Sequence, residues 1–354
     1  MRLIPSTVLA VLAGSPLAAQ VPPAALVPVS GSVSVSVSVS APVPLTLGDV
    51  LGRPAVPVTP ETIESAFYEG GDLPAVPSPL TVKVQVLLDR AGISPGVIDG
   101  IKGGMSGSAL RAYERREGLA EDGLLDPEVW NRLGGASPAP VLGAYVVTAE
   151  DASGLTPDLP EDYAEKALLP ALGYQRASER LAERFHMDED FLAALNPGAG
   201  FVEGETIVVA AVGEPLERQV TRIEVRKGTG RLAAFDAAGT MVANYPVTVG
   251  SDDTPSPEGT VEVVAVAWEP TYHYSPENFV QGDNQEPLVL PAGPNGPVGS
   301  IWIDLSEPSY GLHGTSEPAS LFAAQSHGCV RLTNWDAEEL AGMVEEGTVV
   351  EFVE

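Results

Sequence analysis

The sequence predicts a multidomain α+β protein whose C-terminal domain is mainly β. With 354 residues the chain is long enough for two or three domains of ordinary size. Between residues 80 and 135 apolar residues recur at helical spacing, whereas from Thr221 onward short apolar–polar alternations are joined by Gly-rich turns. We therefore expect a small three-helix domain at 80–135, a linker at 136–144, a mixed module at 145–212 and the β domain at 219–354.

Composition and charge exclude several classes of partner. The chain carries 19 Lys and Arg against 48 Asp and Glu, which gives a formal charge of −29 at pH 7. A surface this acidic repels both a phosphate backbone and an anionic membrane surface, so neither nucleic acid nor membrane lipid is an expected partner. The single cysteine excludes an intrachain disulfide and any zinc site built on several thiolates.

The N-terminus has the pattern of an export signal. A positive charge at Arg2, a short apolar run and small residues before Gln20 predict a secretory signal peptide at 1–19. The apolar run is too short to span a bilayer well, and an uncleaved N-terminal anchor is the alternative. Residues 20–79, rich in Pro, Val and Ser, are predicted to form an extended linker. The expected location is therefore the periplasm or cell envelope.

The domain at 80–135 is predicted to contain three short helices, the third beginning at Asp126–Pro127 with an N-cap followed by Pro. Several of its positions match the sequence pattern of a known repeat. In chain order they are Gln85, Leu88, Gly92, Gly96, Ile98–Gly100, Ala109–Leu110, Tyr113, Gly118–Leu119, Asp122–Gly123 and Trp130. This set resembles a peptidoglycan-binding repeat of the small three-helix type. The resemblance implies binding of glycan strands, and a purely structural role is the alternative.

The module at 145–212 is predicted to contain helices at 177–185 and 187–195 and a strand at 205–209. The run from Leu181 to Pro197 and the segment from Gly204 to Val209 resemble a LysM module. The front half departs from that pattern, because residues 148–173 separate the first strand from the helices and the usual Gly-Asp-Thr turn is missing. Glycan recognition and a structural spacer both remain interpretations of this module.

The β domain contains one long segment, residues 269–299, which has no clear element of its own and is rich in Pro, Asn and aromatic residues. A connection of that length is usually a binding loop or a lid. Tyr272, His273 and Tyr274, together with Trp302 just beyond it, are the candidates for contact with a substrate. For His273, packing between its two tyrosine neighbours is the simpler interpretation.

Cys329 is the candidate nucleophile. A free cysteine is often buried and inert, but the neighbours of this one argue for chemistry. Gly328 allows a sharp turn with exposed backbone N–H groups, His327 and His313 supply imidazoles, and Arg331 is the only Lys or Arg in the C-terminal third of the chain. We expect the cation and the imidazole to lower the pKa of Cys329 and so to favour the nucleophilic thiolate.

The C-terminal domain resembles the L,D-transpeptidase catalytic domain over residues 220–354. The motifs that carry the resemblance are Pro246–Gly250, Thr254–Thr260, Pro270–Tyr274, Tyr310–Thr315, Ser326–Leu332 and Asn334–Asp336. Two positions depart from the family pattern: Gly296 replaces an Asn that is common before Pro297, and residues 321–323 lack a glycine often present in that loop.

The resemblance implies a role for each matched residue. Cys329 would be the nucleophile and His313 the proton acceptor and donor, oriented by the backbone around Gly314. His327 would line the site, and the backbone N–H groups from His327 through Gly328 to Cys329 would form the oxyanion hole. For Arg331 two roles stay open, since it would either hold the turn or meet a substrate carboxylate.

The implied reaction is a ping-pong acyl transfer on peptidoglycan, with stem peptides and glycan strands as partners. Cys329 would attack the carbonyl of the third residue of a tetrapeptide stem, D-alanine would leave, and the side-chain amine of a second stem would complete a 3→3 cross-link. No metal or organic cofactor is implied. The alternatives are an L,D-carboxypeptidase or endopeptidase that uses the same residues with water, attachment of a protein to the wall, and a non-catalytic wall-binding protein.

Overall fold

A computed structural model describes residues 56–250, 256–277, 281–322 and 328–354. The predicted signal peptide at 1–19 and the larger part of the predicted linker lie outside the described residues. None of the described helices is both long enough and apolar enough to cross a membrane.

The first part of the described chain is helical, with α1 (Pro60–Glu64), α2 (Pro79–Arg90), α3 (Gly104–Glu117) and α4 (Pro127–Arg132). Helices α2, α3 and α4 are the three that the sequence predicts, and the Asp126 side chain caps α4. Helix α1 lies inside the segment whose composition predicts an extended linker. Thr59 caps it, and Ile63 is fully buried. Residues 60–79 therefore belong to the folded body in the structure, because packing against the rest of the chain stabilises a helix too short to form alone.

The middle module consists of β1 (Leu142–Val146), α5 (Tyr163–Lys166), α6 (Ala177–Arg184), α7 (Glu189–Leu195) and β2 (Thr206–Ala210). Strands β1 and β2 pair antiparallel, with Tyr145 opposite Ile207. Helices α6 and α7 contribute Leu181 and Leu192 to the core that covers this hairpin. Helix α5 belongs to the insertion at 148–173 and packs elsewhere, against the C-terminal domain.

The C-terminal domain is built from strands and one long helix. Its elements are β3 (Arg222–Arg226), β4 (Arg231–Phe235), β5 (Met241–Pro246), β6 (Gly259–Trp268), β7 (Tyr272–Tyr274), β8 (Leu288–Leu290), β9 (Ile301–Leu305), β10 (Gly311–His313), β11 (Val330–Arg331), α8 (Asn334–Met343) and β12 (Val349–Val353). Eight of the strands form one sheet in the order β11-β10-β9-β6-β12-β3-β4-β5. Apolar residues of these strands and of α8 form its core.

This sheet curls until its two ends meet. Thr248, two residues beyond β5, and Arg331 in β11 exchange a pair of backbone hydrogen bonds, each 2.9 Å long. Strand β11 is therefore held on both sides, by β10 and by the segment after β5. A strand of only two residues is stable in this position because both of its edges are paired.

The segment at 269–299 contains more structure than its sequence indicates. Strands β7 and β8 pair as an antiparallel hairpin, with Tyr272 opposite Leu290. Tyr274 and Leu290 of this hairpin bury themselves with Leu172 of the insertion in a small apolar core of their own. The aromatic residues that suggest a binding loop are thus partly used to hold this segment, hereafter the lid, against the middle module.

A buried polar network joins the helical domain to the sheet. The guanidinium of Arg231, 3% exposed, donates to the Ser94 carbonyl oxygen at 3.0 Å and to Asn244 Oδ1 at 2.6 Å. The Ser94 hydroxyl in turn donates to Asp336 Oδ2 at 2.9 Å. Burial lowers the pKa of Arg231 to about 9 and raises the pKa of Asp336 to about 7. These contacts place the helical domain firmly behind the sheet.

Candidate active site

Strands β10 and β11 bring the candidate nucleophile and base together. The strands run parallel, with His313 opposite Arg331, and the same register extended by two residues places Cys329 beside Gly311. Side chains alternate along a strand, and paired residues of neighbouring strands point to the same face. Cys329, His313 and Arg331 therefore share one face of the sheet.

Cys329 follows a constrained turn. Gly328 has a φ of +115°, which a residue with a side chain rarely adopts. The Ser256 hydroxyl donates to the Gly328 carbonyl oxygen over 2.7 Å and fixes this turn. The Cys329 side chain is partly buried, and its thiol donates to the Ser309 carbonyl oxygen at 3.7 Å. The sulfur is thus held in place before any substrate arrives.

The pKa of the Cys329 thiol differs from the expectation. Burial raises it, and this effect exceeds the lowering by the backbone of Gly311 and by the charge of Arg331. Arg331 lowers the pKa of Cys329 as expected, but the prediction that the pKa is lowered overall is wrong. The resting group is a thiol, so attack requires a base that removes its proton.

His313 has the properties of such a base. The ring is buried, and its Nδ1 lies 2.7 Å from the carbonyl oxygen of Gly314. Because a carbonyl oxygen only accepts, Nδ1 carries the proton and Nε2 carries the lone pair of the neutral ring. Burial lowers the pKa of His313 to about 4, opposed in part by the bond to Gly314 and reinforced by the charge of Arg331. The ring is therefore neutral at pH 7 and accepts protons at Nε2.

Two glycines beside His313 are required by close packing. A Cβ on Gly311 would lie 2.6 Å from Cζ2 of Trp302, and a Cβ on Gly314 would lie 2.1 Å from Oδ1 of Asn334. Real side chains do not approach this closely, so any larger residue would displace the indole or the amide. The two glycines thus allow both neighbours to pack against the strand that carries the histidine.

Asn334, at the start of α8, links the region behind His313 to the middle module. Its Oδ1 accepts from the Ser300 backbone N–H at 3.2 Å, and its Nδ2 donates to Glu183 Oε2 at 3.0 Å and to the Pro294 carbonyl at 3.2 Å. Glu183 belongs to α6, and burial raises its pKa to about 8. Sequence reasoning assigned no role to Asn334 or Glu183, since the contact exists only because α6 packs on α8.

Two of the four substrate-contact candidates lie at the reacting groups. The Trp302 indole stacks on His313 with ring centroids 5.8 Å apart and an interplanar angle of 21°. Tyr272 is partly buried, and burial raises its pKa to about 12, with further raising by Tyr163 and by Cys329. Tyr272 therefore lies near the thiol, at the edge of the lid.

The other candidates are placed differently. Tyr274 is buried, and its hydroxyl donates to the Asn284 carbonyl at 3.0 Å, so it holds the lid together. His273 is exposed on the opposite face of β7, which corrects the interpretation that it packs between its tyrosine neighbours. His327 lies outside the described residues, and its predicted role in lining the site stays a prediction.

Sequence reasoning missed Tyr163, which the insertion at 148–173 brings to the site. Its ring meets those of Tyr272 and Tyr274 edge-on, with centroids 6.1 and 5.4 Å apart. The sequence signal that could have indicated this contact is the departure of the insertion from the LysM-like pattern. An insertion that interrupts a compact module often packs against a segment outside that module. Only the packing shows which contact that is.

Comparison with known proteins gives two family matches. The L,D-transpeptidase catalytic domain model, YkuD, matches residues 220–352, and the model described as "Putative peptidoglycan binding domain" matches residues 78–133. The second match lies on the helical domain and the first on the sheet that carries Cys329 and His313.

Individual proteins are similar over larger parts of the chain. "Putative L,D-transpeptidase YkuD" of Bacillus licheniformis is 32% identical over 175 residues, 49% of this chain and 90% of that protein. "Probable L,D-transpeptidase YbiS" of Escherichia coli is 28% identical over 225 residues, 60% of this chain and 72% of that protein. The crystal structure of L,D-transpeptidase 3 from Mycobacterium tuberculosis covers 43% of this chain and 76% of its own, at 15% identity and a TM-score of 0.32. With its curled sheet, its family match and a relative covered over nearly its whole length, the chain belongs to the L,D-transpeptidase family.

Proposed function

We propose that this enzyme cross-links peptidoglycan stem peptides, with Cys329 as the nucleophile and His313 as the general base and acid. The observation that carries the proposal is the parallel pairing of β10 with β11, which sets the thiol and the imidazole on one face of the sheet. The raised pKa of Cys329 and the low pKa of His313 favour a neutral pair, in which the proton moves as the sulfur attacks.

In the first half-reaction the donor stem acylates the enzyme. His313 Nε2 takes the thiol proton while the Cys329 sulfur bonds to the carbonyl carbon of the third stem residue. The bond from this carbonyl to the nitrogen of D-alanine then breaks, and His313 returns the proton to the leaving amine. The products are a Cys329 thioester and free D-alanine. Backbone N–H groups of His327, Gly328 and Cys329 are the proposed donors to the oxyanion that forms in between.

In the second half-reaction an acceptor amine resolves the thioester. The side-chain amine of a second stem attacks the thioester carbonyl and loses a proton to His313. The carbon–sulfur bond breaks, and His313 returns the proton to the Cys329 sulfur, which completes the 3→3 cross-link. Tyr272 of the lid lies near the thiol, and the lid is proposed to limit entry of water. Hydrolysis of stems, or transfer to an amine of a protein, would follow from the same thioester with another acceptor.

The upstream modules support a location at the cell wall. The peptidoglycan-binding match on the helical domain favours attachment to the polymer that the enzyme modifies. We infer that the protein is exported, that residues 1–19 are removed, and that it works in the periplasm or cell envelope. Glycan recognition by the helical domain and by the LysM-like module is part of this proposal.

Intact-protein mass spectrometry tests the proposed reaction. The mature chain is incubated with a disaccharide-tetrapeptide, beside the variants Cys329→Ala and His313→Gln. A mass increase equal to the tripeptide-bearing donor, absent in Cys329→Ala, together with a dimeric 3→3 product is the expected result. A thioester that yields only trimmed monomer would replace the transpeptidase by a carboxypeptidase. No adduct in the native chain would refute the catalytic assignment.

A further inference from the structure

The insertion at 148–173 of the middle module is fastened to the lid along its length. The Leu172 N–H donates to the Ala292 carbonyl at 2.9 Å, and the Asn295 N–H donates to the Leu172 carbonyl at 3.0 Å. A Cβ on Gly293, whose φ is +147°, would lie 2.2 Å from the Leu172 carbonyl oxygen. The lid therefore has a glycine where the insertion passes closest to its backbone.

Helix α5, within this insertion, is held against the outer part of the lid. Asn284 Nδ2 donates to Asp162 Oδ2 at 3.0 Å, and the Tyr163 N–H donates to Gln281 Oε1 at 3.1 Å. Gln281 Nε2 also donates to the Glu161 carbonyl at 3.2 Å. Together with the Tyr163 ring contacts, these bonds make α5 a continuation of the lid that the middle module supplies.

Helix α5 carries a cation, Lys166, beside the Tyr163 ring. Lys166 Nζ lies 5.8 Å from the centre of the Tyr163 ring, which contacts Tyr272 beside the thiol. Burial lowers the pKa of Lys166, while the charges of Glu161 and Glu317 raise it. Glu317 follows β10 by four residues, so this charge interaction relates Lys166 to the loop that leaves His313. The charge of Arg331 likewise reaches Tyr163 and, after burial, is the main influence on its pKa.

Such a cation is unusual at this place. The C-terminal third of the chain contains one Lys or Arg, Arg331, in a protein of formal charge −29. Lys166 is half-buried beside the Tyr163 ring, and within the described ranges it forms no ion pair. Partial burial of an ammonium costs free energy, which a bound carboxylate would offset. A stem peptide carries such carboxylates.

We propose that Lys166 and the wall formed by α5 build a carboxylate-binding subsite for the peptidoglycan stem, supplied to the catalytic cleft by the middle module. This inference rests on the proposed function for the identity of its ligand. In this role Lys166 positions the stem through its acidic group, while Cys329 and His313 act on the peptide bond. The insertion that departs from the LysM-like pattern is then part of the substrate site.

The test is a binding titration on the full mature chain with Cys329→Ala, so that no turnover occurs. Calorimetry measures Kd for a disaccharide-tetrapeptide with free carboxylates and for the same compound with every carboxylate amidated. Lys166→Met is expected to weaken binding of the free acid about fivefold and of the amidated compound less than about twofold, with Lys166→Arg close to the parent. Lys227→Met, which removes a surface cation paired with Glu354, is the matched control and is expected to leave both constants unchanged.

Equal weakening for the free and amidated compounds, or none for either, would overturn the subsite. Thermal unfolding of each variant separates a folding defect from a binding defect, and Lys166→Arg restores the charge when Lys166→Met is destabilised. The acylation experiment on the native chain tests the proposed reaction independently of this binding titration. Thioester formation with no effect of Lys166 would refute the subsite alone, whereas carboxylate-dependent binding without any thioester would refute the proposed reaction and retain the subsite.

Discussion

The close packing of Gly314 against Asn334 makes a quantitative prediction. In Gly314→Ala the new Cβ would occupy the position of the Asn334 amide, only 2.1 Å from its Oδ1. The amide must therefore move, although it makes three hydrogen bonds, to Ser300, Glu183 and Pro294. The substitution changes one methyl group but affects the whole junction behind His313.

The expected cost follows from these contacts. Three hydrogen bonds at about 1 kcal/mol each give about 3 kcal/mol. Overpacking adds about 1–3 kcal/mol, and the lower entropy of the unfolded Ala chain returns about 0.4–1 kcal/mol. Gly314→Ala is therefore expected to lower the free energy of unfolding by about 4 kcal/mol. In an Asn334→Ala background the clashing amide is absent, and the same substitution is expected to cost less than about 1 kcal/mol.

Urea denaturation of the four proteins of this double-mutant cycle measures the coupling. A coupling free energy of about 3 kcal/mol between positions 314 and 334 is expected. Gly342→Ala, in α8, is the control, because its Cβ would meet no atom within 4 Å and should change stability by less than about 1 kcal/mol. Equal costs of Gly314→Ala in both backgrounds would refute the steric account.

Three further predictions concern charge and packing. Because His313 with a pKa of about 4 stays neutral above that pH, kcat/KM for acylation should be flat between about pH 6 and 8 and fall only as the pH approaches about 4; an acid limb at the ordinary value of 6.5 contradicts this. The pKa of Glu183 is raised from 4.5 to about 8 in the folded state, so ionisation in the unfolded chain removes stability as the pH rises through that window. Glu183→Gln should therefore gain Tm relative to the native protein from about pH 5 to 8, and a difference in Tm that does not change with pH would disprove it. Gly293→Ala should separate the insertion from the lid and speed hydrogen exchange of the Leu172 N–H by at least about tenfold; unchanged exchange would show that the contact adapts.

Elements with local signals could be predicted from the sequence. Asp126–Pro127 predicts the start of α4, because a side-chain cap and the fixed φ of proline act within a few residues. Strand β3 alternates buried and half-buried residues, as the period of the pattern indicates. Helix α1 and the β7–β8 hairpin lacked such signals, because their stability comes from burying Ile63 and Tyr274 against distant segments.

The candidate site divides in the same way. The sequence shows Cys329, His313 and Arg331 in two short motifs. The family resemblance predicts that Cys329 and His313 act together. Their protonation states could not be seen, since they depend on which segments cover them. Burial reverses the expected direction for the pKa of Cys329, although Arg331 acts on it as expected.

By itself the sequence determined which reactive groups the protein has: one thiol, two histidines in neighbouring motifs, and Arg331 as the only Lys or Arg after Arg231. The tertiary structure alone decided that β11 is held between β10 and Thr248, that the thiol rests protonated, and that α5 packs against the lid. The physical reason is that composition is a property of each residue, whereas burial, electrostatic interaction and steric contact depend on segments far apart in the chain. The insertion at 148–173 illustrates this, because its sequence only interrupts a module, while its packing places it against the lid.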